Sequence, residues 1–227
     1  MRKIIRILVI SIGVLLLLEV LGLVLLKFSI SGYARYWRQT AHKPGTFTYV
    51  ILGDSAAQGI GATRIEYAYV NRIAAAVHDK TGKTVRMVNL SVSGAKIQDV
   101  TNKQLPQLQN YHPDLVTLDI GSNDIGSFNE SEFRAHFSKL SRQLPAGSFV
   151  ATLPYFGGRV KSPVNVPLAS RIITELTAAN GLRLVDLQSE TQNRQSVFNY
   201  SFDYFHPSNT GHKVWSDAFI KAILPTL

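Results

Sequence analysis

Ile7 to Leu26 reads ILVISIGVLLLLEVLGLVLL, an unbroken apolar run of 20 residues with one charge, Glu19. No other stretch limits the folding of this chain so strongly. As a helix rising about 1.5 Å per residue it is about 30 Å long, the thickness of a bilayer's hydrocarbon core. A secretory signal has a shorter apolar region and a small-residue cleavage site. The one candidate for such a site is Ser29-Ile30-Ser31. Residues 1–30 therefore read as an uncleaved signal anchor. Arg2, Lys3 and Arg6 abut the run, whereas Arg35, Arg38 and Lys43 stand further away. The positive-inside tendency then puts the N-terminus in and the rest of a single-pass membrane protein on the extracytoplasmic side. Glu19 is costly at mid-membrane, and reads either as a helix–helix contact or as a tolerated lone carboxylate.

The formal charge of +9 follows the same geography. Arg2, Lys3, Arg6, Lys27, Arg35, Arg38 and Lys43 against Glu19 account for +6 of it. That excess flanks the apolar run and suits anionic headgroups. No basic stripe marks the remaining chain, so nucleic acid is not an expected partner. The absence of cysteine removes disulfides, thiolate metal sites and cysteine nucleophiles together.

Residues 31–45 (SGYARYWRQTAHKPG) read as a juxtamembrane linker, with Tyr33, Tyr36 and Trp37 suited to the headgroup interface. Residues 46–227 then alternate short apolar runs with helical patterns. Thr46–Leu52, Val85–Leu90, Leu115–Ile120, Phe149–Leu153 and Leu182–Leu187 are Val-, Ile- and Leu-rich, as buried strands are. Between them, Tyr69, Ile73 and Val77 recur at helical spacing with Val70 and Ala74 beside them. So do Phe133, Phe137, Leu140 and Leu144, behind the capping-box-like Asn129-Glu130-Ser131-Glu132. Val166, Ala169, Ile172, Ile173 and Leu176 form a third stripe closed by Asn180-Gly181, and a last helix is predicted from about Thr210 to Ile223. This alternation implies an α/β domain, a parallel sheet with helices on both faces.

Four clusters carry chemistry, and three of them follow predicted strands, the edge where open parallel sheets build sites. Gly53-Asp54-Ser55 puts a serine on a tight turn, where its hydroxyl stands clear and its own N–H can face a bound carbonyl. Asn89-Leu90-Ser91-Val92-Ser93-Gly94 offers the Gly94 N–H as a second donor, although a plain strand-to-helix turn explains that glycine equally well. Gly121-Ser122-Asn123-Asp124 offers the neutral Asn123 amide, while Asp124 reads as a turn former bonded to nearby backbone. Asp203-Tyr204-Phe205-His206-Pro207 pairs a histidine, able to take a serine proton near neutral pH, with a carboxylate able to hold its ring.

The order GDS, Gly block, GxND, DxxHP resembles the SGNH (GDSL-type) hydrolases over about residues 47–223. That resemblance implies a flavodoxin-like three-layer α/β/α sandwich behind one N-terminal transmembrane helix. It implies Ser55 as nucleophile, His206 as base and Asp203 as the residue orienting it. The oxyanion hole would be the backbone N–H groups of Ser55 and Gly94 with the side chain of Asn123, and no cofactor or metal is implied. Ala56 stands where the family name expects leucine, a position without reacting atoms.

The activity expected is hydrolysis of an acyl ester, carbohydrate-linked (O-acetyl) or lipid-like, through an acyl-enzyme. The same residues would serve an acyltransferase moving the acyl group to a sugar or lipid hydroxyl, if water were excluded. A non-catalytic, membrane-anchored binding module is the third possibility. Gly59-Ile60-Gly61 lacks the third glycine of a dinucleotide fingerprint, and His42, His78, His112, His136 and His212 show no metal-binding spacing, so all five are assigned surface or packing roles. Tyr155-Phe156-Gly157-Gly158 reads either as a rim of the acyl pocket or as an ordinary loop with buried aromatics.

Overall fold

The computed structural model describes residues 2–227. The apolar run belongs to a much longer helix, α1 (Arg2–Thr40), whose N-terminal part is long and apolar enough to cross a membrane by length and composition. Instead of a linker, residues 31–40 continue this helix and pack on the domain. The aromatics assigned to a headgroup belt account for the difference. Trp37 is buried and its Nε1–H donates to the Gln58 carbonyl at 2.8 Å, while the Tyr33 hydroxyl donates to the Ala62 carbonyl at 2.7 Å. Arg86 then closes the helix end, its Nε and Nη2 donating to the Ala41 carbonyl.

The domain is built on β1 (Phe47–Gly53), β2 (Val85–Asn89), β3 (Leu115–Asp119), β4 (Phe149–Ala151) and β5 (Arg183–Val185). All neighbours are parallel, in the order β2-β1-β3-β4-β5. The strands coincide with the five apolar runs because a sheet covered on both faces needs side chains apolar on both. The short α2 (Ser55–Gln58) follows β1, and α3 (Tyr69–Thr81) leads to β2. α4 (Ile97–Asp99) passes through a π turn (Val100–Gln104) into a 3-10 segment (Leu105–Asn110). α5 (Glu130–Ser141), α6 (Asn165–Ala179), α7 (Leu187–Asn193) and α8 (Asn209–Ile223) complete the layers. α3 and α8 pack together, and α5 packs on α4 and α6.

The predicted stripes are the buried faces: Tyr69, Ile73 and Val77 on α3, Phe133, Phe137 and Leu140 on α5, and Val166, Ala169, Ile172 and Ile173 on α6. Each fully buried Ile, Leu or Phe contributes about 1.5–3 kcal/mol from its removal from water. Asn129 caps α5, its side chain accepting from the Glu132 N–H at 3.1 Å. The chain reverses direction across the sheet at β1, since β2 lies to one side of it and β3 to the other. The C-terminal ends of β1 and β3 flank a crevice of the kind in which open α/β sheets place their sites.

Candidate active site

Asp54 and Ser55 leave β1 into α2. The Asp54 carboxylate accepts from the Ala56 N–H at 3.0 Å, which caps α2 and fixes the turn. As the first residue of that helix, Ser55 has an N–H with no intrahelical acceptor. β1 is itself clamped at its end. The Gln104 side chain accepts from the Gly53 N–H (2.9 Å) and donates to the Gly53 carbonyl (2.8 Å).

The loop after α7 brings the opposing group. Tyr200 and Pro207 form an antiparallel bridge, the Ser201 N–H donates to the His206 carbonyl (2.8 Å), and the Tyr204 N–H donates to the Ser201 carbonyl (2.9 Å). The chain thus folds back on itself, and one carboxylate oxygen of Asp203 accepts from the Phe205 and His206 N–H groups (3.1 and 3.0 Å). The other oxygen meets His206 Nδ1, and His206 Nε2 lies 2.9 Å from Ser55 Oγ. Ser55, His206 and Asp203, the three residues marked by the family resemblance, thus lie in one line. Burial tends to raise the Asp203 pKa, but the His206 ring and the two backbone N–H groups outweigh it and hold the carboxyl below its usual value.

Packing sets the histidine from behind. Phe205 lies edge-on to the His206 ring, 5.2 Å between centroids, and stacks on Phe156 at 5.4 Å. Gly61 has φ of +97°, and a Cβ there would lie 2.2 Å from the Pro207 carbonyl oxygen and 3.2 Å from His206 Cβ. Only glycine permits that approach.

The Gly94 and Asn123 turns are differently held. Gly94 takes φ of +82° with open space around it, so backbone conformation rather than close packing demands glycine there. The preceding Ser93 N–H donates to the buried Gln58 side chain at 3.0 Å. Asn123 Nδ2 donates to the Ala95 carbonyl at 3.0 Å and to Asp54 Oδ2 at 3.3 Å, which suspends the amide between the Gly94 turn and the Ser55 turn. Asp124 does not bond the backbone beside it. It accepts from the Ile97 N–H at 3.4 Å, and burial raises its pKa to about 6. Sequence reasoning missed Gln58 and Gln104, buried amides that hold the Ser93 N–H and the Gly53 backbone respectively; the residues beside either glutamine carry no mark of such a role.

Behind the serine sits a second carboxylate, Asp119, at the end of β3. Burial raises both the Asp54 and the Asp119 pKa, and their mutual repulsion adds to it at Asp54. A cavity of about 20 Å³ lies against Ser55 and His206, walled by Pro154, Phe156, Phe205, Pro207 and Trp215. Phe156 is buried and lines this cavity, so the two readings given for its loop are not exclusive. Among the described residues no cluster of His, Asp and Glu has metal-binding geometry.

The acetylxylan esterase of Geobacillus stearothermophilus is 24% identical over 175 residues, 69% of this chain and 79% of that protein. Its crystal structure superposes with a TM-score of 0.64, at 21% identity over 78% of this chain and 94% of that one. A lipase/acylhydrolase from Enterococcus faecalis gives a TM-score of 0.65, at 20% identity over 80% and 97% of the two chains. These likenesses show the fold. The family model of the GDSL-like lipase/acylhydrolases matches residues 51–214, which run from β1 through Ser55 and Asn123 to His206 and into α8. On that match the chain belongs to the GDSL-like lipase/acylhydrolase family, the carboxylic-ester hydrolases that its motif order resembles.

Proposed function

We propose that this protein hydrolyses short-chain acyl esters by a Ser–His–Asp mechanism while anchored in a membrane by α1. The 2.9 Å contact between His206 Nε2 and Ser55 Oγ carries the reading. Ser55 attacks the ester carbonyl as His206 takes its proton, and Asp203 holds the ring and stabilises the imidazolium. The tetrahedral oxyanion lies at the N–H groups of Ser55 and Gly94 and at the Asn123 amide. The longer of the two Asn123 bonds, the 3.3 Å one to Asp54, is the one that yields to it. The alcohol leaves with the proton from His206. Water, activated by the same histidine, then cleaves the acyl-enzyme and releases the acid.

The cavity beside the serine supports a small acyl group. It is narrow and closed in by Phe156, Phe205, Pro207 and Trp215, walls that suit a small acyl group better than a fatty chain. The relative that acts on acetylxylan agrees with this choice. Purified full-length protein in detergent should cleave p-nitrophenyl acetate at least about tenfold faster than the decanoate, as expected for a pocket lacking room for the added methylenes. Equal rates would overturn the short-chain reading, and no cleavage of either ester by folded protein would overturn the hydrolytic one.

A further inference from the structure

Half-buried and buried positions of α1 recur at three-to-four spacing from Glu19 through Gly22, Leu26, Ser29, Tyr33 and Trp37 to Thr40, with Ile30, Ala34 and Tyr36 widening the face toward its C-terminal end. The domain therefore reaches down α1 well past Leu26, the end of the apolar run. Phe202 is one of its contacts there. A Cβ added at Gly22 would fall 2.5 Å from the Phe202 ring, so the ring lies directly on the helix backbone at this small residue. A groove of about 260 Å³ separates helix from domain there, lined by Leu25, Leu26, Tyr33, Gly61 and Phe202 among others.

Gly22 lies four residues, about 6 Å, inside the apolar run. Were the hydrocarbon to stop below Phe202, only Ile7–Leu21 would span it, about 22 Å of helix for a layer of about 30 Å. The loop that carries Phe202 is suited to the alternative. Val197, Phe198, Phe202 and Tyr204 are 66%, 76%, 55% and 60% exposed, an unusual density of bare apolar and aromatic surface within eight residues. Tyr204 holds a left-handed φ of 56°, alone among the described non-glycine residues. From Gln195 to His206 the only charged side chain is Asp203, which is bonded to His206.

We infer that the 197–204 loop is a second membrane contact, inserting Phe198 and Phe202 into the leaflet that receives the C-terminal end of the α1 span. This rests on the anchor reading given above. His206 is four residues from Phe202, at most about 14 Å along the chain, so insertion holds the active site at headgroup level. With a cavity for a short acyl group, the substrate class that follows is a short-chain ester on the polar part of a membrane-embedded amphiphile. A soluble polymer is disfavoured, because it would have to be drawn to a site held against the bilayer surface.

The chain has no cysteine, so single labels are readily introduced. Phe198→Cys, Leu15→Cys and Gln143→Cys, each carrying an environment-sensitive fluorophore, are compared in full-length protein reconstituted into phosphatidylcholine/phosphatidylglycerol vesicles with nitroxide-labelled acyl chains. Quenching at 198 and 15 but not at 143 is the expected result. Quenching at 15 alone overturns loop insertion and leaves the anchor standing; no quenching at 15 overturns the anchor and the inference with it. As a functional readout, Phe198→Ser should lower kcat/KM on an acetylated amphiphile held in vesicles about tenfold, with water-soluble p-nitrophenyl acetate cleaved at the wild-type rate. An unchanged rate on both substrates contradicts the inference.

Discussion

His206 Nε2 lies 2.9 Å from Ser55 Oγ although 151 residues separate them, and the loop hydrogen bonds of Ser201, Asp203 and Tyr204 hold the histidine there. The serine comes from the end of a buried strand and the histidine from a loop tied to a helix start. The contact therefore depends on sheet and loop together, and perturbing either side separates the roles of the residues.

Asp203→Asn keeps an oxygen for the Phe205 and His206 N–H groups, so the loop should fold. The amide cannot both retain those bonds and accept from His206 Nδ1–H, and the ring loses its tautomer. A fall in kcat of about 10⁴-fold is expected, with the melting temperature near that of the wild type. Steady-state kinetics on p-nitrophenyl acetate and a thermal melt check both halves.

If Asn123 serves the oxyanion as proposed, Asn123→Ala should lower kcat by about 10²–10³-fold with little change in KM. Were KM to rise with kcat unchanged, Asn123 would be binding the ground state instead.

The architecture was legible because its signals are periodic. Five apolar runs and three amphipathic stripes correspond to strands and helices that are covered, and the four motif clusters fall at strand ends or at one tight loop. The α1 extension was not legible, because Tyr33, Tyr36 and Trp37 look alike whether they face headgroups or a protein surface; only the Gln58 and Ala62 carbonyls decide it. The segment from Ile97 to Asn110 mixes α, π and 3-10 turns and has no single period to detect. Nor does the sequence show that Gln104 clamps Gly53, a contact across 51 residues.

Gly61→Ala tests the packing behind the histidine. Its Cβ would meet the Pro207 carbonyl, and relief of that clash shifts His206 away from Ser55. Turnover should fall by about 10²-fold, the effect of displacing a reacting group by about 1 Å. Wild-type kinetics in this variant would show that the loop can move without disturbing the site.

His212 is fully buried. Its Nδ1 accepts from the Tyr69 N–H at 3.3 Å, and its Nε2–H faces the Ile60 carbonyl at 3.2 Å. Burial is the main cause that lowers its pKa to about 3, the Ile60 carbonyl opposing it only in part. In the unfolded chain the imidazole titrates near 6.5, so between the two values the unfolded state binds more protons. The stabilisation is complete above about pH 6.5 and is lost as pH falls toward 3. Between pH 7 and 4.5 this group alone should cost about 2–3 kcal/mol of unfolding free energy. Denaturant titrations at the two pH values should show a smaller loss in His212→Asn than in wild type. Asp54 and Asp119 titrate in the opposite sense, but they are common to both proteins and cancel in the comparison. An equal loss in both would mean that His212 is not held neutral.

Labelling of the full-length protein with a fluorophosphonate, followed by peptide mapping, tests the central claim most directly. The account predicts a single modified residue, Ser55, with labelling abolished by heat denaturation and in His206→Ala. Folded protein that stays unlabelled, or a label on any other serine, would contradict it.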